Sequence, residues 1–168
     1  DQHIGGRLRD IDRGARSVET LRRLGHLLTR SGEPRLARDA YEKLLRLEPD
    51  DVVTLNNLAL LVAEDARTRV RAVALAERAR ELAPDDPAVS DTLGWVLLQD
   101  GRPADALPHL RRAAEGAPGD PLVRFHAGLA AARLSLVEEA REHLRAALAA
   151  DPSFPGADAA RSQLERLR

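Results

Sequence analysis

The sequence predicts an all-α fold, a solenoid of four helix-turn-helix repeats closed by a C-terminal capping helix. Three observations carry this. The apolar residues are mostly leucine and alanine, 28 and 29 of 168 against two isoleucines, a mix that favours helix over strand. Prolines recur at Pro49, Pro84, Pro118 and Pro152, at spacings of 35, 34 and 34 residues. Between them the apolar residues fall twice at i, i+3, i+4 and i+7, with a break between the two runs. A fixed period of this length marks stacked units, each too small to bury its own apolar face alone.

Taken in order, residues 1–17 fit no repeat. Gly5-Gly6 interrupts any helix there, and Leu8 and Ile11 allow only a short turn, so a disordered basic arm is expected. The repeats are placed at 18–51, 52–86, 87–120 and 121–154. Leu24-Gly25, Leu58-Ala59, Leu93-Gly94 and Ala127-Gly128 form one aligned column. Ala37, Ala72, Ala106 and Ala140 form a second, and Leu44, Ala79, Ala113 and Ala147 a third. Small residues in such columns let two helices approach closely. Ser31-Gly32-Glu33-Pro34 and Asp100-Gly101-Arg102-Pro103 punctuate a helix end and a helix start. Leu134-Ser135-Leu136 stands at the same place in the fourth repeat, and the second carries one extra residue near Glu64–Val70. Pro108 is expected in the first turn or so of its helix, where little backbone bonding is lost. Residues 155–168 are expected to cap the array, with Ala159, Ala160, Leu164 and Leu167 on one apolar face.

These columns resemble the tetratricopeptide repeat: two antiparallel helices in 34 residues, small residues at repeat positions 8, 20 and 27, and Pro at 32. The likeness covers residues 18–154 and implies a right-handed solenoid. It departs at position 4, where Leu21, Leu55, Ser90 and Arg124 replace the usual bulky aromatic. That departure predicts weaker contacts between repeats.

Composition narrows the chemistry. With no Cys, disulfide scaffolds, thiolate metal sites and cysteine nucleophiles are excluded. The net charge of −1 gives no general pull toward nucleic acid or a membrane surface, although residues 1–46 carry 11 basic and 7 acidic side chains. No apolar run reaches the ~18 residues of a transmembrane helix. The chain starts at Asp1 and has no Met, so a fragment or processed form is expected. There is no phosphate loop and no metal-type histidine spacing. His109 and His143, which share a repeat column, are expected to face solvent. No enzymatic constellation, cofactor site or metal site is therefore expected.

The resemblance places ligand binding on the concave face, lined by first-helix positions 2, 5, 6, 9, 12 and 13. Arg22, Arg23, His26 and Arg30 give that face a basic N-terminal end. Asn56, Asn57 and Leu60 occupy its middle, the amides being suited to the backbone of an extended peptide. Trp95, Phe125 and Leu129 make the C-terminal end apolar. Trp95 and Phe125 are expected to meet as an anchor pocket. Some proteins of this family clamp a partner's terminal carboxylate. Arg22 and Asn57 match that clamp, but His26, Ala88 and Thr92 replace its other members, so such a ligand is not expected.

The reading is a non-enzymatic scaffold that holds a peptide or partner protein in its groove. The stretch from Asn56 to Glu115 is similar to tetratricopeptide proteins of bacterial exosortase-linked exopolysaccharide systems. That implies a bacterial protein of the cytoplasm, periplasm or envelope, with a protein or peptide partner, no nucleic acid and no membrane insertion. The alternative is a self-association module, giving a homo-oligomer, within a larger protein whose enzymatic domain lies elsewhere.

Overall fold

The computed structural model describes residues 18–168; the basic arm expected over 1–17 lies outside the described residues. Among the described residues there are nine α-helices and no strand. They are α1 (Val18–Arg30), α2 (Pro34–Leu47), α3 (Val52–Ala63), α4 (Arg69–Leu82), α5 (Pro87–Gln99), α6 (Pro103–Gly116), α7 (Pro121–Arg133), α8 (Val137–Ala150) and α9 (Ala157–Arg166). Each helix start has a local cause. Pro34, Pro87, Pro103 and Pro121 open four helices with φ already set and no N–H to orphan. Asp51, Asp86 and Asp120 cap α3, α5 and α7, each carboxylate accepting a first-turn N–H at 2.8–2.9 Å.

The helices pack in sequential antiparallel pairs, and each second helix leans on the next first helix. The aligned small residues make this possible. A Cβ built on Gly25 would come within 2.4 Å of the Tyr41 ring, and one on Gly94 within 2.4 Å of Leu110. The alanines at 37, 72, 106 and 140 are fully buried at the facing positions. The same contacts repeated down the stack give one continuous aliphatic core.

The turns inside the pairs show one deviation. Gly32 and Gly101 take left-handed backbone, φ 72° and 78°. The fourth repeat places Ser135 there at φ 60°, the only positive φ of a non-glycine among the described residues. In the second repeat the extra residue is absorbed by a short 3-10 turn, Ala66–Thr68. The Asp65 carboxylate accepts the Arg67 N–H, and the Thr68 hydroxyl donates to the Val62 carbonyl at 2.5 Å.

Three local expectations are corrected. Pro108 is the sixth residue of α6, past its first turn, so the helix loses an interior backbone bond there. The cap buries Ala157 and Ala160, with Leu164 and Leu167 half-buried, while Ala159 faces solvent. Phe154, ahead of α9, is the cap's main anchor: it is buried with its ring edge-to-face on Phe125, centroids 5.6 Å apart. Finally, His143 is buried and His109 half-buried, rather than solvated. Arg124, at the position the family fills with an aromatic, lies over His143 and places a guanidinium nitrogen 3.2 Å from its Nδ1.

Candidate functional site: the concave face

Successive first helices touch directly, α3 with α5 and α5 with α7, whereas second helices meet mainly first helices. The first-helix layer is therefore the tighter, inner side of the curved stack. A helix repeats its face every third or fourth residue, so positions 5, 9 and 13 of each first helix line that side.

At its N-terminal end the expected basic patch is largely neutralised. Arg22 bonds Glu19 at 2.9 Å and Asp51 at 2.5 Å. Burial alone would raise the Asp51 carboxyl, but bonds from Thr54 and Arg22 hold it below the ordinary range. Arg23 bonds the same Glu19 at 2.8 Å. Asp51 thus caps α3 and ties the first repeat to the second. His26 and Arg30 remain exposed.

In the middle, Asn56 and Asn57 are half-buried and Leu60 is exposed beside the more exposed Val53. The Asn56 Oδ1 is sealed from solvent and has no hydrogen-bond partner. So is Gln99 Oε1, at the end of α5. Buried polar atoms without partners are uncommon and need a reason.

The C-terminal end corrects the expected aromatic pocket. Trp95 and Phe125 do not pair. Phe125 is only 7% exposed and sits under the cap with Phe154, because the chain between α8 and α9 folds back over that end of the array. Trp95, half-buried, instead stacks on His126, centroids 4.1 Å apart and planes 19° from parallel. His126 Nδ1 lies 2.9 and 3.0 Å from the two Asp91 carboxylate oxygens. A carboxylate only accepts, so Nδ1 carries the proton. Leu129 and the exposed Leu122 complete this end. Sequence reasoning gives Asp91 and His126 no role, although both fall at groove positions. Their signal is a spacing of 35 residues, which places them at positions 5 and 6 of adjacent repeats.

The outer surface is laced differently. Arg78–Asp50 and Arg112–Asp85 occupy equivalent seams between repeats, both at 2.7 Å. Arg111 grips Glu139 with two bonds of 2.7 Å, which hold the Glu139 carboxyl below its usual value. These pairs are solvent-exposed and worth little individually. They fix seams rather than build a site.

Comparison with known proteins agrees with this geometry. Two family models, each described as tetratricopeptide repeat, match residues 18–61 and 92–155. A TPR repeat-containing protein of Pseudomonas aeruginosa is 38% identical over 95 residues, which is 53% of this chain and 16% of that protein. The chain thus spans about a sixth of that relative's length. Among solved structures, YrrB, described as a TPR protein with an unusual peptide-binding site, superposes with a TM-score of 0.71 at 22% identity. The match covers 96% of this chain and 81% of YrrB. MamA from Desulfovibrio magneticus superposes with a TM-score of 0.68 at 22% identity, over 89% of this chain and 92% of its own. These likenesses show the fold.

Proposed function

We propose, from the premise that this chain carries tetratricopeptide repeats, that it is a protein-interaction scaffold. It seats an extended segment of a partner protein along its concave face. The observation that carries this reading is the set of exposed apolar groups on the inner layer. Val53, 55% exposed, and Leu60 are exposed on α3 beside the half-buried amides of Asn56 and Asn57, and Leu122 is exposed at the equivalent place on α7. Apolar surface beside half-buried amide side chains suits an extended chain, which offers side chains to the one and backbone groups to the other. The unusual peptide-binding site ascribed to YrrB belongs to that protein and supports the reading only by shared fold.

The affiliation with exosortase-linked exopolysaccharide systems rests on the Asn56–Glu115 stretch alone, since the matching family models reach no further than the repeat itself. Envelope association and the self-association alternative stay within this proposal.

The test is site-specific photocrosslinking in the native host. A photoreactive residue replacing Leu60 or Leu129 is expected to capture a discrete partner. The same residue replacing Glu77 or Glu115, on the outer layer, is expected to capture none. Capture only from the outer positions would overturn the reading.

A further inference from the structure

We infer that the concave face takes a polyproline II segment with an apolar residue at every third position and an acidic residue at the end that lies on α1. This rests on the concave-face reading above and adds the conformation and side-chain pattern of the ligand. The apolar groups of the inner layer fall in two rows. Val53, Ala88 and Leu122 stand at position 2 of successive repeats, and Leu60, Trp95 and Leu129 at position 9. The two members on each helix are seven residues apart, close to two turns, so both rows share one face and lie about 10 Å from each other. All six keep surface open to solvent. Val53, Leu60, Ala88 and Leu122 are exposed, and Trp95 and Leu129 are half-buried.

The step between helices selects the backbone of the ligand. α3 touches α5, and α5 touches α7; packed helices lie about 8–10 Å apart. Three residues of polyproline II rise about 9 Å and bring a side chain back to the same side. Two residues of a β-strand rise only about 7 Å, and the third points the opposite way, so a strand falls out of step within two repeats. A helix regains its face after two turns, at about 11 Å, but its backbone groups are already paired within it. Polyproline II leaves its backbone groups unpaired, and Asn57 can answer them. Its amide lies between the two rows, half-buried, with no hydrogen-bond partner among the described residues. Laid there, the segment turns two of its three sides to the rows and the third to solvent.

The first repeat sets the charge at one end. On α1 the same two places hold Glu19 and His26. Glu19 is already bonded by Arg22 and Arg23. His26 and, one turn on, Arg30 are exposed and form no ion pair among the described residues. The equivalent of Arg30 at the far end, Arg133, is instead turned to the Leu98 carbonyl. The row of Leu60, Trp95 and Leu129 thus runs into uncompensated donors on α1. An acid three places from the residue on Leu60 complements them.

Trp95 is the only tryptophan and stands in the middle of its row, so its emission reports on the site. The probes are blocked decapeptides. One is Glu-Pro-Pro-Leu-Pro-Pro-Leu-Pro-Pro-Leu, and a second is the same sequence reversed. The third, Glu-Pro-Leu-Pro-Leu-Pro-Leu-Pro-Pro-Pro, has the same composition with leucines at every second place. One of the two period-three peptides is expected to shift Trp95 emission saturably and to bind at least about tenfold more tightly than the third. Glutamine in place of its glutamate is expected to weaken it several-fold, and His26→Asp to remove that difference. Leu60→Ser and Leu122→Ser, both at exposed places, are each expected to weaken binding about fivefold or more while the melting temperature holds. Equal binding of the period-two peptide would overturn the polyproline II assignment, and equal binding of the glutamine peptide the acidic end; either leaves the concave-face reading standing. Binding unmoved by both serine variants would place the peptide elsewhere and overturn the proposal. No shift with any peptide would overturn it as well, and the concave-face reading would then stand or fall on the crosslinking alone.

Discussion

The indole of Trp95 lies flat on the imidazole of His126, 4.1 Å between centroids, across the seam of the third and fourth repeats. This stack makes Trp95 structural as well as available to a ligand. Trp95→Ala is expected to cost about 1–3 kcal/mol, less than truncating a fully buried aromatic because Trp95 is half-exposed. Trp95→Phe should recover much of that loss. Urea denaturation checks both; a loss near zero would mean that the stack contributes nothing to stability.

Behind the indole, Asp91 holds His126 across the same seam. Asp91→Ala leaves the imidazole N–H without its acceptor and is expected to cost about 1–3 kcal/mol. His126→Ala leaves the Asp91 carboxylate largely buried and unpaired, and should cost at least as much. A double-mutant cycle should show coupling of about 1 kcal/mol or more. Additive losses would show that the 2.9 Å contact carries no energy of its own.

The cap hangs on a residue that the repeat pattern does not announce. Phe154 is buried against Phe125. Phe154→Ala is expected to cost about 3 kcal/mol and to loosen α9, exposing Leu144 and Leu148 of the last repeat. Hydrogen exchange should show α9 and α8 losing protection before the first two repeats, as nearest-neighbour coupling requires. Uniform loss across the array would contradict that order.

What is legible in the sequence follows from what repeats. The tight contacts of Gly25 on Tyr41, Gly94 on Leu110 and Gly128 on Leu144 recur at one period, so alignment exposes them. The misreadings sit where the period breaks. Phe125 occupies a column that faces the groove in earlier repeats, but the last repeat ends under a loop with no counterpart upstream. His143 belongs to a column read as outward-facing, yet it lies under Arg124, whose identity at position 4 is peculiar to this repeat. The column of Trp95 indicates its helix and face, but its ring partner depends on an Asp–His contact between adjacent repeats that no single repeat encodes.

Ser135 offers a test by improvement. It holds a left-handed backbone that Gly32 and Gly101 adopt without a Cβ. Ser135→Gly is expected to stabilise the fold by about 0.5–1 kcal/mol, the relief of left-handed strain outweighing glycine's greater unfolded entropy. Gly101→Ala should destabilise by a similar amount. Thermal melts of both variants decide it, and a destabilised Ser135→Gly would mean that the serine side chain supports the turn.

The two histidines of the outer grooves predict how stability responds to acid. Burial, then the charge of Arg124, lowers the pKa of His143 despite Glu139 and Glu142. Burial, then Arg80, lowers that of His109. Arg124 can only donate, so the neutral His143 accepts at Nδ1, and protonation there would set two cations 3.2 Å apart. The folded state therefore binds these protons less readily than the unfolded chain. Their contribution is complete above the unfolded value of about 6.5 and is lost as pH falls from there through the lower folded values. Stability should decline below about pH 6.5 by at most ~1.4 kcal/mol per pH unit for each histidine. Carboxylates titrate mainly below about pH 5, so the window between is diagnostic. His143→Asn, which keeps an acceptor near Arg124 but cannot take up the proton, should flatten the decline. Denaturant midpoints measured across that window for wild type and His143→Asn settle the matter; parallel curves would mean that His143 is not held neutral by its surroundings.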